Sequence, residues 1–216
     1  MTAPTASPAI PVARPRSKGE RTRERILDAA EALFAERGYE GATLRDVAAR
    51  VKLRNPSLYN HFESKESLYA AVLERGLGPL LRLLGDHVGS GRDPRGAGEE
   101  LLAVVMQILA ERPALPRLVQ HETLTGGQRL TPTLRSFLTP IIARGFAAAE
   151  PRARAAGWEE EDVPLLLLAM VQVVLGCFTF APLYQELNGK DLLADEALAR
   201  QTRFLNELTQ RLFEPR

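Results

Sequence analysis

The stretch Asn55–Leu68, NPSLYNHFESKESL, decides the fold. Asn55 and Pro56 suit the N-cap and N1 positions of a short helix, because asparagine supplies an acceptor and proline gives up a donor that would be orphaned anyway. The helix is expected over about residues 56–61, with Leu58 and Phe62 facing inward and Ser57, Tyr59, Asn60 and His61 facing out. Ser64 offers the cap of a further helix that opens at Lys65. Upstream, Thr43 is placed to cap a helix whose Asp46 completes a capping box, and Leu44, Val47, Ala48 and Val51 form an i, i+3, i+4, i+7 stripe. Only Lys52-Leu53-Arg54-Asn55 separates the two helices. A preceding helix over about residues 20–37 carries Ile26, Ala30, Leu33 and Phe34 on one face and stops at Gly38. Two short helices joined by a tight turn, the second with polar side chains outward, are the parts of a helix-turn-helix. A helix fits the major groove of B-DNA, and its N-terminal residues reach the base edges.

Outward from this head the apolar residues keep helical spacing, with no period-2 run, so the chain reads as all-α. Helices are expected near 65–84, 97–111, 114–125, 131–156, 160–187 and 194–213. Loops are expected at Gly85 to Gly98, at Thr125-Gly126-Gly127 and at Asn188-Gly189. A chain of 216 residues buries roughly 70% of its unfolded surface and needs no disulfide or metal staple. The single cysteine, Cys177, forms no intrachain disulfide, so a cytoplasmic location is the expectation. Residues 1–18 hold four prolines and lack the apolar run of a secretory signal, which reads as a disordered leader. Pro164 to Leu183 carries no charge and has the length of a membrane span, yet Glu159 to Asp162 precede it and no Lys/Arg cluster flanks it, against membrane insertion. Residues 13–65 contain twelve Lys and Arg against eight Asp and Glu, while the remainder is slightly acidic. This asymmetry suits a head that faces nucleic acid.

At these residues the chain resembles the TetR family of transcriptional regulators. The likeness spans residues 24–73 and rests on the Gly-aromatic pair Gly38-Tyr39, on Thr43, on Val47-Ala48, and on the element LY-x-HF-x-SKE-x-L from Leu58 to Leu68. The family's turn usually begins with glycine; here Lys52 stands in that place, at a left-handed cost on the order of 1 kcal/mol. The resemblance implies that Thr43, Tyr59, His61 and Lys65 hold phosphates, with Arg45, Arg54, Asn55, Ser57 and Asn60 as candidates for base or nearby backbone contacts. Phosphate contacts give salt-dependent affinity, and base-edge contacts choose the sequence. Arg14, Arg16, Lys18, Arg21 and Arg23 form a basic arm that either follows the DNA backbone or is a solvated tail.

One head buries too little DNA for high specificity, and a dimer reading two half-sites is the usual solution. The penultimate helix is apolar nearly all round, so the last two helices are expected to pair with a second copy, as the resemblance also implies. Ala169, Gln172, Gly176 and Phe180 form one row on it and Met170, Val174, Cys177 and Ala181 another; the sequence leaves open which row faces the partner. The resemblance further implies a small-molecule pocket in the body. Met106, His121, Phe137, Phe146, Trp158, Gln172, Cys177 and Phe178 are its candidate lining, and they favour an apolar or aromatic inducer. Repressor rather than activator is a tendency of the family.

No catalytic group, cofactor or metal is expected. His121-Glu122 does not continue to HExxH, since the fifth residue is Thr125, and His61 has no partnering ligand nearby in sequence. The glycine stretch lacks GK[ST], and no GxSxG occurs. The chain therefore reads as a leader (1–18), a helix-turn-helix head (19–65) and a larger regulatory and dimerisation body (66–216). An enzyme without visible motifs would keep its turnover in Tyr59→Ala and Lys65→Ala, and a membrane-associated helical protein would lose its soluble dimer without detergent.

Overall fold

Ser17 sets the start of the first helix. Its hydroxyl accepts from the Glu20 amide at 3.1 Å, and its own amide donates to Glu20 Oε2 at 2.6 Å, a reciprocal box that satisfies two otherwise orphaned donors. The computed structural model describes residues 17–89, 94–129 and 132–214. Among these the elements are α1 (Lys18–Gly41), α2 (Leu44–Arg50), α3 (Asn55–Tyr59), α4 (Lys65–Gly89), α5 (Pro94–Glu111), α6 (Ala114–Leu124), α7 (Pro132–Ala155), a 3-10 turn (Glu160–Asp162), α8 (Val163–Thr179), α9 (Ala181–Asn188) and α10 (Asp195–Leu212). No strand occurs among the described residues. The all-α expectation holds.

Several boundaries differ from the sequence reading. Lys18, Arg21 and Arg23 are already helical in α1, so this part of the basic arm is not a loose tail; Arg14 and Arg16 lie outside the described residues. Gly38, with φ 68° and ψ 177°, adopts a conformation essentially restricted to glycine, and one further turn follows it to Gly41. The stretch from Gly85 is not a loop at its start, because α4 continues to Gly89 and α5 resumes at Pro94. Leu81 is buried and Leu138 and Ile141 of α7 pack on the same core, so contact between α4 and α7 carries the helix past a residue of poor propensity. The expected single helix over 160–187 is three elements. Pro182 lacks an amide hydrogen and its ring would clash with a carbonyl four residues back, so α8 ends at Thr179, and α9 begins anew with proline in its first turn.

One continuous core joins head to body. Ile26, Leu33 and Phe34 of α1, Val47 and Ala48 of α2, Leu58 of α3, Leu68, Tyr69 and Leu73 of α4, Met106 of α5, Leu115 and Leu118 of α6, Phe178 of α8 and Leu205 of α10 belong to a single cluster. Helix α4 is the shared wall. At Gly76 a Cβ would lie 2.7 Å from Leu115 Cδ1, so a larger residue here would make the buried Leu115 side chain shift. Arg75, one residue earlier, reaches back to three carboxylates of α1, with Glu24 at 3.3 Å, Asp28 at 2.7 Å and Glu31 closer still. A smaller cluster of Ala153, Val163 and Leu166 closes the far end.

Candidate nucleic-acid interface

The second helix of the head is capped as its sequence dictates. The Thr43 hydroxyl accepts from the Asp46 amide at 3.1 Å and donates to Asp46 Oδ2 at 2.6 Å, and this bond holds the Asp46 carboxyl below its usual range. The turn that follows is built on Lys52, which takes φ 57°, the left-handed conformation expected of the family's glycine position. Leu53 N closes the turn on Ala48 O at 2.9 Å, and Arg25 of α1 donates to Val51 O at 2.9 Å, tying the turn to the first helix. The cap of α3 is one residue earlier than the sequence suggested. Ser57 N and Leu58 N both bond to Arg54 O, at 3.0 and 3.3 Å, so Arg54 is the N-cap, Asn55 is the first helical residue, and neither supplies a side-chain cap.

This geometry sorts the head's side chains. Leu58 and Phe62 are buried, at 1% and 4% exposure, and Arg23 lies over the Phe62 ring. Arg54, Asn55, Ser57, Tyr59 and Asn60 are exposed along and just before α3, His61 is half-buried, and Thr43 and Arg45 are exposed at the start of α2. Lys65 stands at the first turn of α4, half-buried. Ser64 and Ser67 cap that turn reciprocally, each amide bonding the other's hydroxyl at 3.1 Å.

Sequence reasoning did not find the residues that fix Lys65. Its ammonium lies 4.2 Å from the centroid of the Tyr39 ring, and the Arg129 guanidinium lies 4.2 Å from the same centroid. The Tyr39 hydroxyl donates to Glu66 Oε1 at 2.7 Å. Burial and that carboxylate raise the phenol to about 12, while Glu66 is held down at about 2, chiefly by the same bond. Tyr69 meets Tyr39 edge-on at 5.0 Å and donates to buried Glu122 Oε1 at 2.7 Å. Tyr39 was visible only as half of a Gly-aromatic pair, and Arg129 carried no local signal.

Among the described residues, the body positions expected to line a ligand pocket lie in several places. Met106 and Phe178 are core, and Cys177 packs partly buried beside them, with burial raising its thiol. Trp158 is in the smaller far cluster and donates to Leu212 O at 2.8 Å. Phe146 is half-buried on α7, Gln172 is exposed on α8, and the Phe137 side chain lies outside the described residues. His121 faces Gly38 across 3.5 Å, measured to a Cβ placed there, and it lines a cavity of about 210 Å³ with Tyr39, Tyr69, Glu122 and Arg129. A second cavity of about 280 Å³ lies beside Asp28, Glu31, Arg75 and Arg112.

The two rows of α8 are now distinguishable. Val174 and Cys177 pack on the core and Ala181 is buried. Ala169, Gln172 and Phe180 are exposed, and a Cβ on Gly176 would meet nothing within 4 Å. Leu165 and Leu168 extend this outer row at 63% and 57% exposure, and Phe204 of α10 is 61% exposed. Glu160–Thr179 is long and apolar enough to cross a membrane by length and composition, but its inner row, Leu166, Leu175 and Phe178, is buried in the fold.

A capped helix, a tight turn on Lys52 and a short helix with an exposed polar face make residues 43–62 a helix-turn-helix. Residues 26–72 match the family of bacterial regulatory proteins described as tetR. The likeness to that family by sequence lies in this N-terminal segment. The transcriptional repressor KstR2 of Rhodococcus jostii is 34% identical over 111 residues, covering 50% of this chain and 54% of that protein. The negative transcriptional regulator IcaR of the biofilm operon icaADBC of Staphylococcus aureus is 49% identical over 47 residues, covering 22% and 25%. The chain thus spans about half the length of the first relative and about a quarter of the second. Among solved structures, a TetR-like transcriptional regulator from Rhodococcus sp. RHA1 aligns with TM-score 0.64 and 18% identity over 91% of this chain and 97% of its own. The fatty acid degradation regulator FadR from Bacillus halodurans aligns with TM-score 0.61 and 16% identity over 94% and 100%. At these identities the likeness concerns the fold, and it extends through the helical body.

Proposed function

We propose that this protein is a ligand-responsive transcriptional repressor, not an enzyme, that works in the cytoplasm, binds a palindromic operator as a homodimer and is released by a small-molecule inducer. The exposed polar face of α3 carries this reading: Ser57, Tyr59 and Asn60 stand on a helix thin enough for the major groove, between capped Thr43 and Lys65. In this reading Thr43, Tyr59, His61 and Lys65 hold phosphates, and Arg45, Arg54, Asn55, Ser57 and Asn60 meet bases or the nearby backbone. Residues 19–65 act as the head and 66–216 as the regulatory and dimerisation body.

The exposed apolar row of α8, together with Phe204, supports pairing of the last helices with a second copy, because a patch of that kind on a soluble protein marks an interaction surface. The names of the curated relatives, a repressor and a negative regulator, favour repression. Release by an inducer requires only that the molecule bind one spacing of the two heads better than the other, and the apolar body favours an apolar or aromatic one. Selection of bound duplexes from a random pool, with the mass of the winning complex, tests the reading. A palindrome bound by two copies is expected. A stable soluble dimer that enriches no sequence, with or without cell-extracted small molecules, overturns it. Within the head, Lys65→Ala is expected to weaken binding to every duplex, and Asn60→Ala to change sequence preference.

A further inference from the structure

We propose that Arg129 is a positioning residue for DNA binding: through the Tyr39 ring, it fixes the ammonium of Lys65 at the protein surface. The inference rests on the DNA-binding reading above and adds to it a residue of the body that touches no part of the head's helix-turn-helix.

Both cations lie 4.2 Å from the Tyr39 centroid. A ring attracts a cation through its quadrupole, so the place of the ring sets the place of each charge upon it. The ring itself has little freedom. Tyr69 abuts it edge-on at 5.0 Å, Phe34 stacks beside it at 6.0 Å, and its hydroxyl is committed to Glu66 at 2.7 Å. Arg129 is held just as firmly. Its amide donates to Glu122 Oε2 at 3.3 Å, Glu122 is buried and bonded to Tyr69, and its guanidinium pairs with Glu40.

An unrestrained lysine loses much rotamer freedom when it holds a phosphate. Lys65 on a clamped ring has already lost part of it, so the contact forms with less ordering. Arg129 lies in the turn after α6, and its charge, hydrogen-bond and ring partners include Tyr39, Glu40 and Glu122. Its effect on DNA therefore passes through Tyr39 and Lys65.

A double-mutant cycle of Arg129→Met and Lys65→Ala, read as the slope of log affinity against log salt on the selected operator and on a random-sequence duplex, tests this. If a phosphate contact depends on Arg129, R129M lowers the slope by about one unit on both duplexes. Over a roughly four-fold rise in salt, one such contact changes affinity by about three-fold. In the K65A background R129M then changes nothing further, and Arg129→Lys, which keeps a cation on the ring, retains the wild-type slope. Additive losses from R129M and K65A, or an unchanged slope in R129M, overturn the proposal. Arg129→Gln serves the same cycle if R129M does not fold, since it keeps a donor for Glu40 without the charge. Wild-type protein with no salt-dependent duplex binding would instead remove the DNA-binding reading itself, an outcome distinct from normal binding with an inert Arg129.

Discussion

Removing the Tyr69 hydroxyl is expected to destabilise the fold by about 2 kcal/mol, because a buried hydrogen bond to a charged acceptor contributes about 1.5–3 kcal/mol. Tyr69 is 1% exposed and Glu122 5%, and the hydroxyl reaches Glu122 Oε1 at 2.7 Å. In Tyr69→Phe the carboxylate keeps the Arg129 amide, a longer bond at 3.3 Å, and loses its shorter partner. Glu122→Leu alone should cost about 3 kcal/mol, since it strands both the phenol and that amide. The double variant should cost less than the sum, with a coupling of about 2 kcal/mol, because the phenol and the carboxylate are removed together. Urea unfolding followed by far-UV circular dichroism, at fixed protein concentration so that any self-association is held constant, gives all four corners of the cycle. An m-value equal to wild type would show that the denatured state is unchanged. Tyr69→Phe within about 0.5 kcal/mol of wild type, or a coupling near zero, would refute the reasoning: the pair would then be solvated, contrary to its burial.

Gly76→Ala is expected to destabilise by about 1–2 kcal/mol, the clash of the new methyl at 2.7 Å from Leu115 Cδ1 outweighing the helix propensity gained; thermal unfolding measures it, and an unchanged midpoint would mean that the Leu115 side chain turns away at little cost. Leu168→Arg, placing a charge on the outer row of α8, is expected to convert a dimer to monomer in analytical ultracentrifugation without changing helix content. Glu66 sits at about 2 in the folded chain, below the ordinary carboxylate value near 4.3. Its contribution is therefore present above that ordinary value and is lost as pH falls toward about 2, so wild type and Glu66→Gln should differ in thermal midpoint at neutral pH and converge in acid. Tyr39 is shifted the other way, so spectrophotometric titration should find a phenol ionising near 12 that is missing in Tyr39→Phe.

The head was legible because its determinants act over a turn or two of helix. Thr43 with Asp46 and Ser64 with its following turn are spaced by three residues, and the left-handed Lys52 stands where the family resemblance implies a glycine. Even there, proline at position 56 drew the N-cap to Asn55, when the first turn closes on the Arg54 carbonyl instead. The body was less legible, since tertiary contact overrides local preference. Glycine at 85 suggested a loop, yet the apolar meeting of α4 with α7 holds a helix there. Pro182 was a visible breaker inside an apolar run whose uniformity hid it. The spread of Met106, Trp158, Gln172 and Phe178 across separate environments has the same origin: apolar character marks a side chain for burial without saying beside what. Tyr39 with Glu66, Tyr69 with Glu122 and Arg129 with Glu40 join residues far apart in sequence by single contacts of no recurring spacing, which no reading along the chain detects.

Those long-range contacts converge on α4. It takes Arg75 to the carboxylates of α1, presses Gly76 on Leu115 of α6, sends Tyr69 to Glu122 at the end of α6, and begins at Lys65. A displacement of α6 therefore cannot be absorbed inside the body. The core is continuous and close-packed, and such interiors transmit strain in preference to dissipating it. The connection is stiff at Gly76, where contact is steric, and directional at Glu122 and Arg129, where it is made of hydrogen bonds and charge. Substitutions at Gly76 should consequently change stability foremost. Substitutions at Arg129 should change the salt dependence of DNA binding foremost, because that side chain meets Lys65 through the Tyr39 ring they share.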